Sequence, residues 1–275
     1  MTNYQLNTNS RSALREMIET SFRNVPQDLL PVQLNDQIIG YVTHTIFVAI
    51  QKFINQEEQD IHFIHCANQK IIIDAATPNQ LSIELRILAQ YLRELHLLTG
   101  WRDEEFSFID EHAHERFRVE RTFFRAFGFH SRAIHINGYN SKKQLWLARR
   151  SNTKHIDPNL LDNITAGGIG ANETLLNSAH RELREEAGIG SELAQQLNPI
   201  SSIIVRRGLI DSSLHHETLY TYDLELPLTF QPQNQDQEVS DFILVNYQEA
   251  LDFVLNEKLT IDAGVVTADF LLRHC

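Results

Sequence analysis

The sequence predicts an α/β protein built from two domains. Stretches with the apolar spacing of a helix alternate along the chain with short strand-like stretches, and no internal repeat or low-complexity tract interrupts them. With 275 residues, of which 42% are hydrophobic, the chain is long enough to bury two modest cores. We therefore expect a smaller α+β domain over residues 1–115 and a layered α/β domain over residues 116–275.

The expected first domain opens with a helical apolar period that ends just before Pro26. A second amphipathic stretch follows Thr77-Pro78 and ends before Gly100, which predicts a long helix. The predicted elements are a helix at 11–25, strands at 30–34 and 37–42, a helix at 47–53, strands at 61–64 and 70–74, a helix at 80–98 and an extended segment at 101–106.

The expected second domain begins between residues 116 and 129 and starts with a hairpin. Its turn is the polar segment at 140–143. The predicted elements are strands at 133–139 and 144–150, an acidic helix between Asn172 and Gly188, strands at 200–208, 217–226 and 239–245, and helices at 248–256 and 262–273. Strands interspersed with helices favour a layered α/β architecture.

The acidic helix carries an ordered set of carboxylates. Glu182, Glu185 and Glu186 stand at positions i, i+3 and i+4, which places them on one face of a helix. Like charges packed in this way repel one another, so the arrangement indicates a cation between them. Mg²⁺ takes oxygen ligands and is typically held by carboxylates together with substrate phosphates. Asn172 is the predicted N-cap of this helix and Gly188 its C-terminal stop.

Glycines and a charged pair flank the start of this helix. Gly167 and Gly168 are predicted to bind substrate, because glycine lets the backbone approach a ligand closely. Residues 166–170 are predicted to form a loop, called the glycine loop below. Glu173 lies eight residues before Arg181, about two helical turns, so the two residues are predicted to brace this loop against the helix.

Three cations precede the glycine loop. Arg149, Arg150 and Lys154 are predicted to bind a diphosphate, because arginine grips phosphate oxygens with two parallel hydrogen bonds. The alternative is that they form surface ion pairs with the many acidic side chains of this chain.

The acidic stretch resembles the complete signature of the Nudix hydrolases, with a spacing fixed over 23 residues. The matching residues are Gly167, Glu173, Arg181-Glu182-Leu183, Glu185-Glu186 and Gly188-Ile189. The resemblance implies a Nudix α/β/α sandwich with a mixed sheet, and hydrolysis of a diphosphate linked to another group. It also implies that Glu182, Glu185 and Glu186 hold Mg²⁺ or Mn²⁺ and that Glu173 and Arg181 are the bracing pair.

Residues on both sides of the signature, among them 145–151 and 161–163 before it and 222–227 and 269–274 after it, resemble one branch of the family, the Nudix domain linked to thiamine pyrophosphokinase. The N-terminal half, with its segment Gly100-Trp101-Arg102-Asp103-Glu104, is similar to the accessory domain of that branch. The resemblance implies hydrolysis of thiamine diphosphate or its oxidised analogues to the monophosphate and phosphate. One departure is Gln237, where glycine is expected, so we expect a stiffer loop before Glu238.

A carboxylate must take the proton of the attacking water in such a reaction. One candidate for this base is a signature glutamate that is not fully engaged with metal, Glu182 or Glu185. The other candidate is Glu238, which would act as the base or as an additional metal ligand. The alternative for Glu238 is a solvated loop residue.

The residues leave other functions open. An ADP-ribose or nucleotide-sugar pyrophosphatase uses the same acidic signature, so only the outer pocket distinguishes it. Isopentenyl diphosphate isomerase shares the fold, but its chemistry uses a cysteine that has no counterpart near this signature. A non-catalytic module would sense a diphosphate without hydrolysing it, and the intact set of three glutamates argues against that reading.

Trp101 and Arg102 are candidate ligand-binding residues in the first domain. Both are able to cap a ligand by stacking. A turn that plugs the interface between the two halves is the equal alternative.

The composition argues against several classes of partner. A formal net charge of −12 gives no cationic excess to neutralise nucleic-acid phosphates. The two cysteines, Cys66 and Cys275, provide neither a disulfide framework nor a cysteine-rich zinc site. No apolar run approaches the roughly 18 to 20 residues of a membrane span. We expect a cytoplasmic protein acting on a small-molecule diphosphate, without nucleic-acid or membrane partners, and compatible with a homodimer.

Overall fold

The computed structural model describes residues 5–56, 60–154, 156–209 and 213–275. The elements of the first half are α1 (Thr8–Thr20), β1 (Leu30–Leu34), β2 (Gln37–Val42), α2 (His44–Ile54), β3 (Ile64–Ala67), β4 (Lys70–Ile73), α3 (Pro78–Glu94), β5 (Glu105–Ile109), β6 (Glu115–Glu120) and α4 (Arg121–Ala126). The strands predicted at 30–34 and 37–42 are confirmed to the residue. Asn35 and Asp36 join them with φ of 47° and 67°, the conformation that a two-residue hairpin turn requires.

One predicted strand of this half is displaced. The strand predicted at 61–64 is wrong in position, because β3 begins only at Ile64. The N–H groups of His62 and Phe63 donate instead to the buried carboxylate of Glu84 at 2.7 and 3.0 Å, so a side chain takes the place of a neighbouring strand.

The helix ends also differ from the prediction. The first helix begins before residue 11, because Asn7 caps it by accepting the N–H of Ser10 at 2.8 Å. The helix predicted to reach residue 98 ends at Glu94, and His96 then adopts a left-handed φ of 57° that no helix continues.

The first half packs around a four-stranded sheet of order β2-β1-β4-β3 and the two-stranded sheet β5-β6. Helices α2 and α3 bury their apolar faces in the same core as these strands. Five phenylalanines complete this core: Phe117, Phe123, Phe124, Phe127 and Phe129. The core therefore continues beyond residue 115 into β6 and α4, while the domain division at 115/116 stays a prediction.

The second half forms a larger mixed sheet. Its elements are β7 (Ser131–Tyr139), β8 (Gln144–Arg150), β9 (Leu161–Asn163), β10 (Thr165–Gly168), α5 (Leu175–Ala187), α6 (Ser191–Ala194), β11 (Asn198–Gly208), β12 (Leu214–Glu225), β13 (Val239–Asn246), α7 (Tyr247–Leu255) and α8 (Ile261–His274). The main strand order is β11-β12-β7-β8-β13, with β10 paired to β7 and β9 paired to β8. Strands β12 and β7 are parallel and the other pairs are antiparallel.

Helices cover both faces of this sheet. The apolar face of α5 packs in one core with Ile134, Ile136 and Trp146. Helices α7 and α8 pack in another core with Leu145 and Leu147, from the opposite face of β8. Helix α1 joins the second of these cores, since it packs against α8. The predicted fold class, an α/β/α sandwich with a mixed sheet beside a smaller α+β portion, is confirmed. Among the described helices none has the length and apolarity needed to cross a membrane.

Candidate active site

The acidic helix predicted from the sequence is α5. Thr174 caps its N-terminus, since its hydroxyl accepts the N–H of Asn177 at 3.1 Å. The prediction that Asn172 caps this helix is wrong, because Asn172 adopts a left-handed φ of 71° whereas an N-cap residue is extended. The helix ends as predicted at Gly188, whose φ is 66° and where an added Cβ would lie 2.9 Å from the carbonyl oxygen of Gln233.

The three glutamates of α5 differ in burial. Glu182 and Glu186 are 8% and 6% exposed, whereas the side chain of Glu185 is 36% exposed. Glu186 accepts the N–H of Ala166 at 3.0 Å, so the acidic face is enclosed between α5 and β10. Burial raises the pKa of Glu182 to about 7 and that of Glu186 well above its ordinary value, and repulsion from neighbouring carboxylates adds to both shifts.

The prediction that Gly167 and Gly168 lie in a loop is wrong, because both belong to strand β10, which pairs with β7; the glycine loop therefore begins within this strand. Each of the two glycines leaves room for one side chain. A Cβ at residue 167 would lie 2.0 Å from Oε1 of Glu182, so the carboxylate occupies the space that a side chain would need. A Cβ at residue 168 would lie 2.4 Å from Cζ of Phe106, which comes from strand β5 of the first half. The first half of the chain therefore packs directly against the glycine loop.

Glu173 and Arg181 form a closely bonded pair. Arg181 donates to the two carboxylate oxygens of Glu173 at 2.7 and 3.0 Å, and to Glu182 at 2.7 Å. Glu173 also accepts the N–H of Gly170 at 3.1 Å and the hydroxyl of Ser178 at 2.7 Å. Chiefly through its hydrogen bonds, Arg181 lowers the pKa of Glu173 to about 2. The pair ties the glycine loop to the helix, the position predicted for the brace.

A loop before β13 brings two more carboxylates to α5. Oxygens of Glu186, Asp236 and Glu238 all lie within 4.8 Å of one another. Burial and the charge of Glu238 raise the pKa of Asp236. Sequence reasoning missed Asp236, although its position two residues before Glu238 was an available signal. The carboxylate of Asp236 accepts the N–H of Glu238 at 2.8 Å, which fixes the turn that carries both acids.

These carboxylates suit a hard divalent cation. Their donor atoms are all carboxylate oxygens, which Mg²⁺ and Mn²⁺ prefer. Glu182 is not one of the three residues of that group, but its charge acts on the pKa of Glu186, and the charge of Glu238 acts on the pKa of Glu182. The residues therefore fit the metal that the acidic pattern predicts.

Two cations hold Glu238 from opposite sides. Lys154 donates to Oε2 of Glu238, and NH1 of Arg102 donates to Oε1 at 2.5 Å. Burial alone would raise the pKa of Glu238, but Lys154 and Arg102 outweigh burial and hold the pKa below its ordinary value. The site thus combines clustered carboxylates with cations at its edge, an arrangement that suits a metal-bound diphosphate.

Comparison with known families decides how this geometry is classified. The family model described as the NUDIX domain matches residues 128–270, just over half of the chain. The chain belongs to the Nudix family. It is a pyrophosphohydrolase that acts on a small-molecule diphosphate, and enzymes of this family generally use divalent cations.

Nudix relatives cover both halves of the chain. It is 28% identical to "Nudix hydrolase 24, chloroplastic" and 25% identical to "Nudix hydrolase 20, chloroplastic", both of Arabidopsis thaliana. Each comparison covers 90% of this chain and 68% of the relative. The crystal structure of DR0079 from Deinococcus radiodurans is 21% identical, with a TM-score of 0.48 over 62% of this chain and 98% of that one. A cytoplasmic location stays a prediction.

Of the three cations predicted to bind phosphate, Lys154 contacts the carboxylate cluster, whereas Arg149 and Arg150 bond to the segment at 156–162. Lys154 reaches the carboxylate cluster. Arg150 donates to Asp162 at 2.9 Å and to the carbonyl oxygen of Ile156 at 2.9 Å, so its guanidinium supports the chain before the glycine loop. Arg149 donates to the carbonyl oxygen of Asn159 at 3.1 Å. Phosphate contacts by the two arginines, and by Gly167 and Gly168, stay predictions.

Proposed function

We propose that this Nudix hydrolase cleaves thiamine diphosphate, or its oxidised analogues, to the monophosphate and phosphate. The observation that carries the diphosphate chemistry is the convergence of Glu186, Asp236 and Glu238 with Lys154 at one edge of α5. The thiamine assignment is supported by the resemblance of the flanking segments, including Gly100–Glu104 of the first half, to the thiamine-linked branch.

We assign the metal to Glu182, Glu185 and Glu186, with Asp236 and Glu238 as neighbouring carboxylates. When bound, Mg²⁺ or Mn²⁺ would neutralise charge on the diphosphate oxygens and lower the pKa of a bound water. The burial of Glu182 and Glu186 keeps these ligands in a site of low dielectric, where their attraction for a cation is strong.

The remaining residues position the diphosphate and move the proton. The side chain of Lys154 is 12% exposed and places its ammonium group beside Glu238, where it would bind a phosphate oxygen. Among the three signature glutamates Glu185 is the most exposed, and its hydrogen bonds from Arg181 and Arg184 are both long, at 3.3 Å. Glu186, in contrast, accepts the N–H of Ala166 at 3.0 Å. We therefore assign Glu185 to take the proton of water as that water attacks phosphorus and the bridging P–O bond breaks.

The function is tested by product analysis. Purified protein with Mg²⁺ is incubated separately with thiamine diphosphate, oxothiamine diphosphate, oxythiamine diphosphate and ADP-ribose, and the monophosphate and phosphate are quantified. We expect faster cleavage of the thiamine compounds. Preferential cleavage of ADP-ribose, to AMP and ribose 5-phosphate, would reject the thiamine assignment and keep the metal chemistry, whereas the absence of any cleavage product from all four compounds would identify a non-catalytic module.

The same assay tests Glu185. Glu185→Gln should abolish turnover with an unchanged melting temperature, because the substitution removes a charge and preserves shape. Glu192→Gln is the matched control, since Glu192 is an exposed acid on α6 outside the carboxylate cluster. Turnover by Glu185→Gln at the rate of the control would show that Glu185 is not the base.

A further inference from the structure

One side chain of the first half reaches the Nudix active site. Arg102 lies 136 residues before Glu238 in the sequence, yet its NH1 donates to Oε1 of Glu238 at 2.5 Å. The other oxygen of the same carboxylate accepts from Lys154. One carboxylate is therefore shared by two cations, next to Glu186 and Asp236.

The backbone of Arg102 is fixed within its own half. Its N–H donates at 3.0 Å to Glu120, a buried carboxylate whose second oxygen accepts the N–H of Thr122 at 2.5 Å at the start of α4. Beside it, Trp101 donates to Asp103 at 2.6 Å, and Asp103 holds a left-handed φ of 57°. These contacts give Arg102 a defined position independent of its salt bridge.

The segment that follows Arg102 is fixed to the glycine loop. The carbonyl oxygen of Glu105 accepts the N–H of Ala171 at 2.7 Å. Phe106 fills the space above Gly168, where a Cβ would lie 2.4 Å from its ring. Two separate contacts thus set the distance between Arg102 and the carboxylate cluster.

We propose that Arg102 binds the diphosphate of the substrate, so that the first half completes the active site of the Nudix domain. This inference rests on the diphosphate hydrolysis proposed above and adds a residue that determines substrate binding. A guanidinium has five N–H donors, and within the described chain only NH1 of Arg102 has a protein acceptor. The side chain is 37% exposed, so the remaining donors are accessible to a ligand. Arginine also suits phosphate oxygens in bidentate geometry.

The competing explanation is a salt bridge that merely joins the two halves. That explanation predicts a loss of stability on removing Arg102 and no loss of affinity for a diphosphate.

Equilibrium binding separates the two explanations. The variants are Arg102→Gln, Arg102→Lys and the control Arg116→Gln, which removes the same charge from the first half at a residue paired with Asp110. Calorimetric titration with methylenediphosphonate in the presence of Mg²⁺ measures diphosphate affinity without turnover, because its bridging carbon resists hydrolysis. Melting temperatures and the separate kcat and KM for thiamine diphosphate complete the comparison.

We expect Arg102→Gln to weaken methylenediphosphonate binding about tenfold to a hundredfold, the change typical of a lost charge-assisted hydrogen bond. Arg102→Lys should bind with intermediate affinity, because it keeps the charge and loses the planar fork. Affinity within twofold of the control, with a lower melting temperature, would overturn the inference in favour of the salt bridge. If the wild-type protein itself does not bind methylenediphosphonate, the proposed diphosphate chemistry fails and the inference fails with it. Preferential cleavage of ADP-ribose would reject only the thiamine assignment, and the comparison of Arg102→Gln with its control would still decide the role of Arg102.

Discussion

Gly167→Ala should weaken metal binding while leaving the fold intact. The backbone at Gly167 is not left-handed, so alanine can adopt its conformation without strain. The added Cβ, however, would lie 2.0 Å from Oε1 and 2.3 Å from Cδ of Glu182. Nonbonded carbon and oxygen atoms keep about 3 Å or more apart, so the carboxylate must move by about 1 Å.

A movement of this size is large for a metal ligand. Ligand distances in metal sites hold to about 0.2 Å, so a shift of about 1 Å removes Glu182 from the metal shell. Disturbing the support of a ligand lowers metal affinity roughly tenfold to a hundredfold. The displaced carboxylate would also lose its 2.7 Å hydrogen bond from Arg181. We expect the Mg²⁺ concentration for half-maximal activity to rise roughly tenfold to a hundredfold.

The assay is a Mg²⁺ titration of phosphate release, together with thermal melting of the metal-free protein. Gly190→Ala is the matched control, because a Cβ at Gly190 meets nothing within 4 Å and its φ is −73°. An unchanged Mg²⁺ requirement in Gly167→Ala would refute the argument, since it would mean that Glu182 is not a ligand or that β10 yields to the methyl group at no cost.

Two further predictions concern stability. Burial alone would lower the pKa of His215, but the carboxylate of Asp262 at 3.0 Å outweighs burial and raises it. The contribution of protonated His215 to the stability of the fold is therefore complete below pH 6.5 and is lost as the pH rises through the raised pKa of His215. The melting temperature should fall between pH 6 and pH 9, and it should fall less in Asp262→Asn. Glu173→Gln should lower the free energy of unfolding by about 2 kcal/mol at pH 7, because Arg181 loses its carboxylate partner. That difference, measured by urea denaturation, should shrink as the pH falls from 4.5 towards 2, through the depressed pKa of Glu173.

Local spacing explains what the sequence predicted correctly. Glu182, Glu185 and Glu186 share a face because helix geometry fixes neighbours three and four residues apart. Gly188 was predictable as the helix end, since only a left-handed residue fits there and glycine adopts that conformation freely. The helix start was not predictable, because Asn172 and Thr174 are both good capping residues and their order along the chain does not reveal their φ angles.

Tertiary packing explains what the sequence left open. The burial of Glu182 and Glu186 depends on β10 lying over α5, which their spacing does not specify. Arg102 was considered as a ligand-capping residue or as a plug between the halves, and its contact with Glu238 spans 136 residues. Only the way the two halves pack decides which side chain Arg102 meets.

Gln237 departs from the pattern of the thiamine-linked branch at a position where the backbone is left-handed. The thiamine-linked branch is expected to have glycine here, and Gln237 has a left-handed φ of 68°, the conformation for which glycine is best suited. A non-glycine residue in this conformation costs roughly 1 kcal/mol or more. Flanking side chains offset that cost, since Asn234 accepts the N–H of Asp236 at 3.1 Å and Asp236 accepts the N–H of Glu238 at 2.8 Å. Glutamine also loses less backbone entropy on folding than glycine would. The turn therefore keeps the path that brings Asp236 and Glu238 to Glu186, with side-chain hydrogen bonds in place of glycine's freedom.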